Sequence, residues 1–213
     1  MLQNHSLPPD HPLYPNALRQ FRADPLPLST IGNLQLLQRP KLAFFCSSEC
    51  PDDVWSQTRS LMAALPAEIA VISGFHSLIE KQALSLLLQR TQAVIFCPAR
   101  SLDGMKLTAE WQTGVAEHRL LLLSIFSAKQ SRATAKLAQS RNQLVATLAD
   151  VILIAHATPD GKIAALAHQW QEQGKSLFVL DTPSNQALLK QGAKPITSVH
   201  TLCDQFLPSS QGG

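Results

Sequence analysis

After Pro40 the chain repeats one rhythm, a short apolar run followed by a stretch with helical spacing. The runs read KLAFFC, IAVIS, AVIFC, LLLLSIF, VILIA and SLFVL. Each is rich in Val, Ile, Leu or Phe, and most lack polar alternation, which suits strands covered on both faces. Helical patterns fill the gaps over Val54–Leu65, Ile79–Gln89, Met105–Glu117, Ile163–Gln173 and Gln186–Gln191. Gly174 and Gly192 follow the last two as stop signals. Such alternation predicts the α/β class, with a doubly wound, mostly parallel sheet and helices on both faces.

The first 40 residues have a different texture, HPLYPNALRQFRADPLPLSTIGNLQLLQRP. They predict a short helix over Asn16–Arg22 inside an irregular, proline-rich arm that packs Leu26, Leu28 and Ile31 against the remainder. The expected division is an extended arm over 1–40, one α/β domain over 41–207 and a disordered tail over 208–213. A chain of 213 residues, 45% apolar and 15% charged, has enough apolar sequence for one sizeable core. No run approaches the ~20 apolar residues of a membrane span, and Pro8, Pro9, Pro12 and Pro15 interrupt any secretory signal core. Cys46 and Cys50 form a C-x3-C, but no second close pair and no H-x3-5-H accompanies it, so no zinc site is expected. Reduced thiols in a cytoplasmic protein are the simplest account.

In open α/β sheets ligands sit beyond the carboxyl ends of the strands. Here those ends carry Ser47-Ser48, Ser73-Gly74-Phe75-His76, Ala99-Arg100, His156-Ala157 and Asp181-Thr182. Small and hydroxyl-bearing residues let backbone N–H groups approach an anion, although the same residues also cap helices and turn the chain. Ser140-Arg141-Asn142-Gln143 fits an S-x-x-Q capping box and predicts a helix opening at that edge. Arg141, Leu144 and Leu148 share one helical face, so the arginine points inward and requires a partner, an internal carboxylate or a phosphate. No acidic residue lies between Glu117 and Asp150, while Arg119, Lys129, Arg132, Lys136 and Arg141 do. That basic stretch suits phosphates, and a plain solvated helix surface would read the same.

Catalytic signatures are missing. There is no P-loop, no G-x-G-x-x-G and no G-x-S-x-G. His76 and His156 stand at strand ends without an orienting carboxylate nearby in sequence, and Glu80 and Glu110 have no evident partner. Neither catalysis nor a cofactor is therefore expected. Among aromatic residues Phe44, Phe45, Phe75 and Trp111 are candidates for base stacking, with Phe75 the best placed.

Four motifs in order give the chain a family likeness. YPNALRQFRADPLPLSTIGNLQLLQRPKLAFFCSS resembles the lead-in and first strand of the DprA/Smf family of DNA-processing proteins. SGFHSLIEKQAL stands where that family has a Ser-Gly-x-Ala-x-Gly-Ile-Asp loop and helix. RNQLVATLADVILIAHATPDGKIAALA resembles its Arg-Asn-Arg-Ile-Ile-Ala segment, buried strand and Ser-Gly turn. NQALLKQGAKPI is similar to Asn-x-Leu-Ile-x-x-Gly-Ala. The resemblance implies an extended Rossmann-like domain that binds single-stranded DNA in recombination and natural transformation, in the bacterial cytoplasm. It further implies a RecA-type recombinase as partner and a homodimer. Carried over by position, Arg141 and Asn142 take the ligand pocket, Ser73 and Gly74 a second phosphate loop, and Asp160-Gly161-Lys162 the late turn.

The chain also departs from the pattern. Cys46-Ser47-Ser48 replaces Gly-Ser-Arg, Leu78 replaces a glycine, Glu80 an aspartate and Leu84 a histidine, Gln143 the third basic position, and His156 a glutamate. These losses leave open two other readings, a small-nucleotide binder and a scaffold without DNA binding. The related phosphoribohydrolases carry Pro-Gly-Gly-x-Gly-Thr and a catalytic glutamate, which ATPDGKIAAL lacks.

Overall fold

The computed structural model describes residues 4–21 and 25–206. Nine strands are described: β1 (His5–Leu7), β2 (Leu28–Gly32), β3 (Lys41–Cys46), β4 (Ala70–Ser73), β5 (Ala93–Phe96), β6 (Leu120–Ser124), β7 (Val151–His156), β8 (Ser176–Leu180) and β9 (Lys194–Ile196). They form one sheet in the order β1-β2-β6-β5-β4-β3-β7-β8-β9. From β6 to β9 every pairing is parallel.

The helices are α1 (Asn16–Phe21), α2 (Asp53–Ala64), α3 (Leu78–Gln89), α4 (Ala109–Ala116), α5 (Ala135–Leu148), α6 (Lys162–Glu172), α7 (Gln186–Lys190) and α8 (Val199–Cys203). Alternate strand residues feed two cores. Ala43, Phe45, Ile152 and Ile154 face α5 and α6, where the Trp170 ring stacks on Phe45 at 4.6 Å. Leu42, Phe44, Val151 and Leu153 face α2 and α3. Both faces being covered explains why these strands read as unbroken apolar runs.

The six runs are β3 to β8, and the doubly wound, mostly parallel α/β expectation holds. The first segment differs from the irregular arm predicted for it. β1 pairs antiparallel with β2, and β2 with β6, so the segment extends the sheet. Leu28 and Ile31 are buried there, whereas Leu26 is 41% exposed. Helix α4 begins at Ala109 rather than Met105, because the Thr108 side chain accepts from Trp111 N–H and sets the start. Arg22 and residues 208–213 lie outside the described residues. No described helix is long and apolar enough to cross a membrane.

The largest correction concerns α5, which starts at Ala135 and not at Ser140. Thr134 caps it by accepting from Leu137 N–H. Ala135, Lys136, Leu137, Ala138 and Gln139 are good helix formers, so the helix propagates through the predicted cap. Ser140 Oγ donates back to the Lys136 carbonyl at 3.2 Å, as an interior helical serine does. Thr134→Ala is accordingly expected to lower stability by about 1 kcal/mol, and Ser140→Ala by less than about 0.5 kcal/mol. Urea unfolding of the two variants checks this. Equal effects would contradict the assigned helix start.

Candidate functional site

The winding direction reverses between β3 and β7. From β3 the sheet grows outward through β4, β5 and β6, and from β7 through β8 and β9. Loops leaving neighbouring strands diverge at such a point and open a crevice. A cleft of about 580 Å³ lies there, walled by Cys46–Glu49 after β3, His76–Ser77 and Glu80 after β4, Ala99 after β5, the first two turns of α5, and Thr158 and Gly161–Ile163 after β7.

The floor is built on Glu80, a buried residue of α3. Its Oε1 accepts from Cys46 N–H at 2.9 Å, and its Oε2 accepts from His76 N–H at 2.6 Å and Ser77 N–H at 3.3 Å. Ser77 Oγ accepts in turn from Glu80 N–H, which closes a capping box over α3. One carboxylate thus ties the ends of β3 and β4 together and satisfies three backbone donors. Burial holds the Glu80 carboxyl above the usual carboxylate range, against the opposing pull of those N–H groups and of Arg141.

Arg141 lies one and a half turns into α5 and is 5% exposed. Its Nε donates to Asn142 Oδ1 at 2.8 Å and its Nη1 to the Cys97 carbonyl at 3.2 Å. The guanidinium rests directly on Gly74, where any Cβ would overlap it. Burial pushes its pKa down and the Glu80 charge pulls it back up, so the two groups sense each other without an ion-pair contact among the described residues. No hydrogen bond to a described residue engages Nη2.

The wall opposite is the start of α6. Gly161 is its N-cap and supplies no side-chain acceptor, so the first N–H groups of this eleven-residue helix meet the cleft. Lys162 stands exposed at the first position. Asp160 has a left-handed φ of 56°, which turns the chain into the helix. Two hydrogen bonds hold this loop to the other wall: Ser47 Oγ accepts from Thr158 N–H at 3.0 Å, and Thr158 Oγ1 donates to the Glu49 carbonyl at 3.3 Å.

Of the residues predicted for a site, Ser47, Ser48, His76, Arg141, Asn142, Gly161 and Lys162 line this cleft. Ser73 and Gly74 lie beneath it; Ser73 is buried and its Oγ accepts from Phe75 N–H. Phe75 is no stacking platform. Its φ of 45° turns the side chain into the core, where it is buried beside Phe96 with ring centroids 6.0 Å apart. Phe44 and Phe45 are core residues as well.

Arg100 sits in the adjacent loop with Nε on the Ser101 carbonyl. Asp160 faces a neighbouring groove with Ser184 and Leu188. Gln143 bridges α5 and α6, accepting from Trp170 Nε1 at 3.2 Å, and with Lys136 lines a groove on the far side of α5. Lys129 and Arg132 are exposed in the loop leading to α5. Arg119 leaves the basic group altogether, since it precedes β6 at the opposite sheet edge and donates to the Leu88 carbonyl. His156 is buried and shares a 3.2 Å hydrogen bond with Ser184 Oγ. Sequence reasoning overlooked Glu80 as the floor, although Ser77-x-x-Glu80 is a legible capping box.

These features define a doubly wound, Rossmann-like domain with a cleft at its switch point. The family model for DNA recombination-mediator protein A matches residues 5–207, and the chain belongs to that family. The DNA processing protein DprA of Streptococcus pneumoniae is 25% identical over 202 residues, covering 91% of this chain and 71% of its own. The X-ray structure of that species' DprA superposes with a TM-score of 0.83 at 22% identity, over 97% of this chain and 75% of the other. A Helicobacter pylori DprA structure, described for its single-stranded DNA binding mode, gives 0.76 at 24% identity over 97% and 98%. The molybdenum cofactor carrier protein of Chlamydomonas reinhardtii shares the fold alone, with a TM-score of 0.52 at 11% identity over 79% and 98%.

Proposed function

We propose that the chain is a non-enzymatic single-stranded DNA-binding protein of recombination that holds backbone phosphate in the switch-point cleft. One observation carries this reading. Arg141 presents an uncommitted guanidinium nitrogen to the same cleft that receives the uncapped start of α6 and Lys162. A buried cation facing open helix N–H groups suits an anion, and no described carboxylate pairs with it at contact distance. Lys129 and Arg132 extend the positive field on the approach. The described Helicobacter pylori relative supports single-stranded DNA as the polymer that brings the phosphate. A RecA-type recombinase as partner and a homodimer, both drawn from the family likeness, belong to the same proposal.

The test is fluorescence anisotropy of a labelled poly-dT oligonucleotide at two salt concentrations. Binding is expected to weaken with salt, because neutralised phosphates release counterions. Arg141→Ala should lower affinity about tenfold, the effect of one charge-assisted hydrogen bond, and equally for poly-dT and poly-dA. Unchanged affinity would remove Arg141 from the interface. The cleft's volume also accommodates a single nucleotide. Thermal stabilisation by mononucleotides with no oligonucleotide binding would favour that second reading.

A further inference from the structure

The loop after β4 runs Phe75-His76-Ser77, buried, exposed and buried in turn. Phe75 is fixed by its left-handed φ and by its packing beside Phe96, and Ser77 is fixed by capping α3. Between them His76 N–H donates to Glu80 Oε2 at 2.6 Å. The main chain is therefore held on both sides of His76, whose side chain lines the cleft. No hydrogen bond or ion pair to a described residue engages the imidazole itself.

Two features of the cleft go beyond what a phosphate needs. His76 carries the one ring among the described residues that line it. Ala99, Ala133, Ala135 and Ala138 line it too, and their methyl groups carry no charge and make no hydrogen bond. A ring beside a set of methyl groups suits a flat, largely apolar group rather than an oxyanion.

We propose, on the footing of the single-stranded DNA reading above, that His76 is the base-contacting residue of the cleft, stacking its imidazole on a nucleobase while Arg141 and Lys162 hold phosphate. Every base has a π-face, so this contact favours base-bearing chains over bare phosphodiester without choosing among the bases. Because the loop is fixed in advance, little conformational freedom is lost when a base settles on the ring. The ligand class narrows to one that carries both a base and a phosphate. A chain of phosphates and sugars alone leaves the imidazole and the alanine surface unused.

The test compares two labelled probes by fluorescence anisotropy, poly-dT and an abasic chain of equal length in which tetrahydrofuran units replace the nucleosides. Wild type should bind poly-dT at least about fivefold more tightly than the abasic chain, the effect of one stacked base or more. His76→Ala should lose about fivefold or more on poly-dT and less than about twofold on the abasic chain. The retained abasic binding also reports that the variant is folded. His76→Phe should keep poly-dT affinity within about twofold, since the ring is preserved. Arg141→Ala should weaken both probes alike. A His76→Ala chain that equals wild type on poly-dT, or that weakens on both probes equally, overturns the base contact and leaves the phosphate reading standing. So does a His76→Phe chain as weak as His76→Ala. A wild-type chain that binds neither probe overturns both.

Discussion

Glu80→Ala should lower the stability of the chain by about 3–5 kcal/mol, the range for removing one member of a buried charged network. The side chain is 5% exposed and answers three backbone donors, those of Cys46, His76 and Ser77. Each donor left without a partner costs about 1–3 kcal/mol, and water entering from the cleft recovers part of that. Urea denaturation followed by tryptophan fluorescence measures the change. A loss below about 1 kcal/mol would mean that the ends of β3 and β4 hold together without this carboxylate.

A pH dependence follows from the same residue. Burial raises its pKa in the fold, so the folded chain holds the Glu80 proton more tightly than the unfolded chain does. Its titration therefore favours folding most below the unfolded value of about 4.3, and that contribution declines as pH rises toward the folded value. Compared with Glu80→Gln, the wild-type chain should lose relative stability as the pH rises above the unfolded value of about 4.3. A relative gain with rising pH would show that the three N–H donors outweigh desolvation.

Gly74→Ala should weaken oligonucleotide binding by up to about tenfold and also cost about 2–4 kcal/mol of stability, by displacing the charged side chain packed against it. The added methyl would occupy the position of Arg141 Nη1 and Cζ. The guanidinium must leave, losing the Cys97 carbonyl and withdrawing its charge from Glu80. Combining Gly74→Ala with Arg141→Ala provides the check. If the glycine acts by seating the arginine, the double variant binds no more weakly than Arg141→Ala alone. Additive losses would assign Gly74 a separate role.

The parallel core was readable because burial on both faces leaves apolar runs that few other folds produce. β1 and β2 were not, since strands of three and five residues at a sheet edge carry too little pattern to stand out among prolines. The inward direction of Arg141 was legible from its spacing with Leu144 and Leu148. The position of α5's start was not, because Ser140 and Gln143 mimic a cap that the five preceding helix formers override. Phe75 was misplaced for a different reason. Nothing in its neighbours announces the left-handed φ that sends the ring inward. Glu80 lay in a recognisable capping box, yet its reach to Cys46 depends on two strands being side by side.

The pairing of β3 with β7 has a consequence for the order in which the molecule can become functional. Phe45 must find Ile154, and everything between them in the chain is made first. During synthesis β3 to β6 emerge with their helices and can assemble early, but one wall of the cleft is then missing. It arrives only with Thr158, Gly161 and Lys162. A growing chain therefore exposes one flank of β3 until β7 docks, and it completes the cleft as one of its last acts of folding.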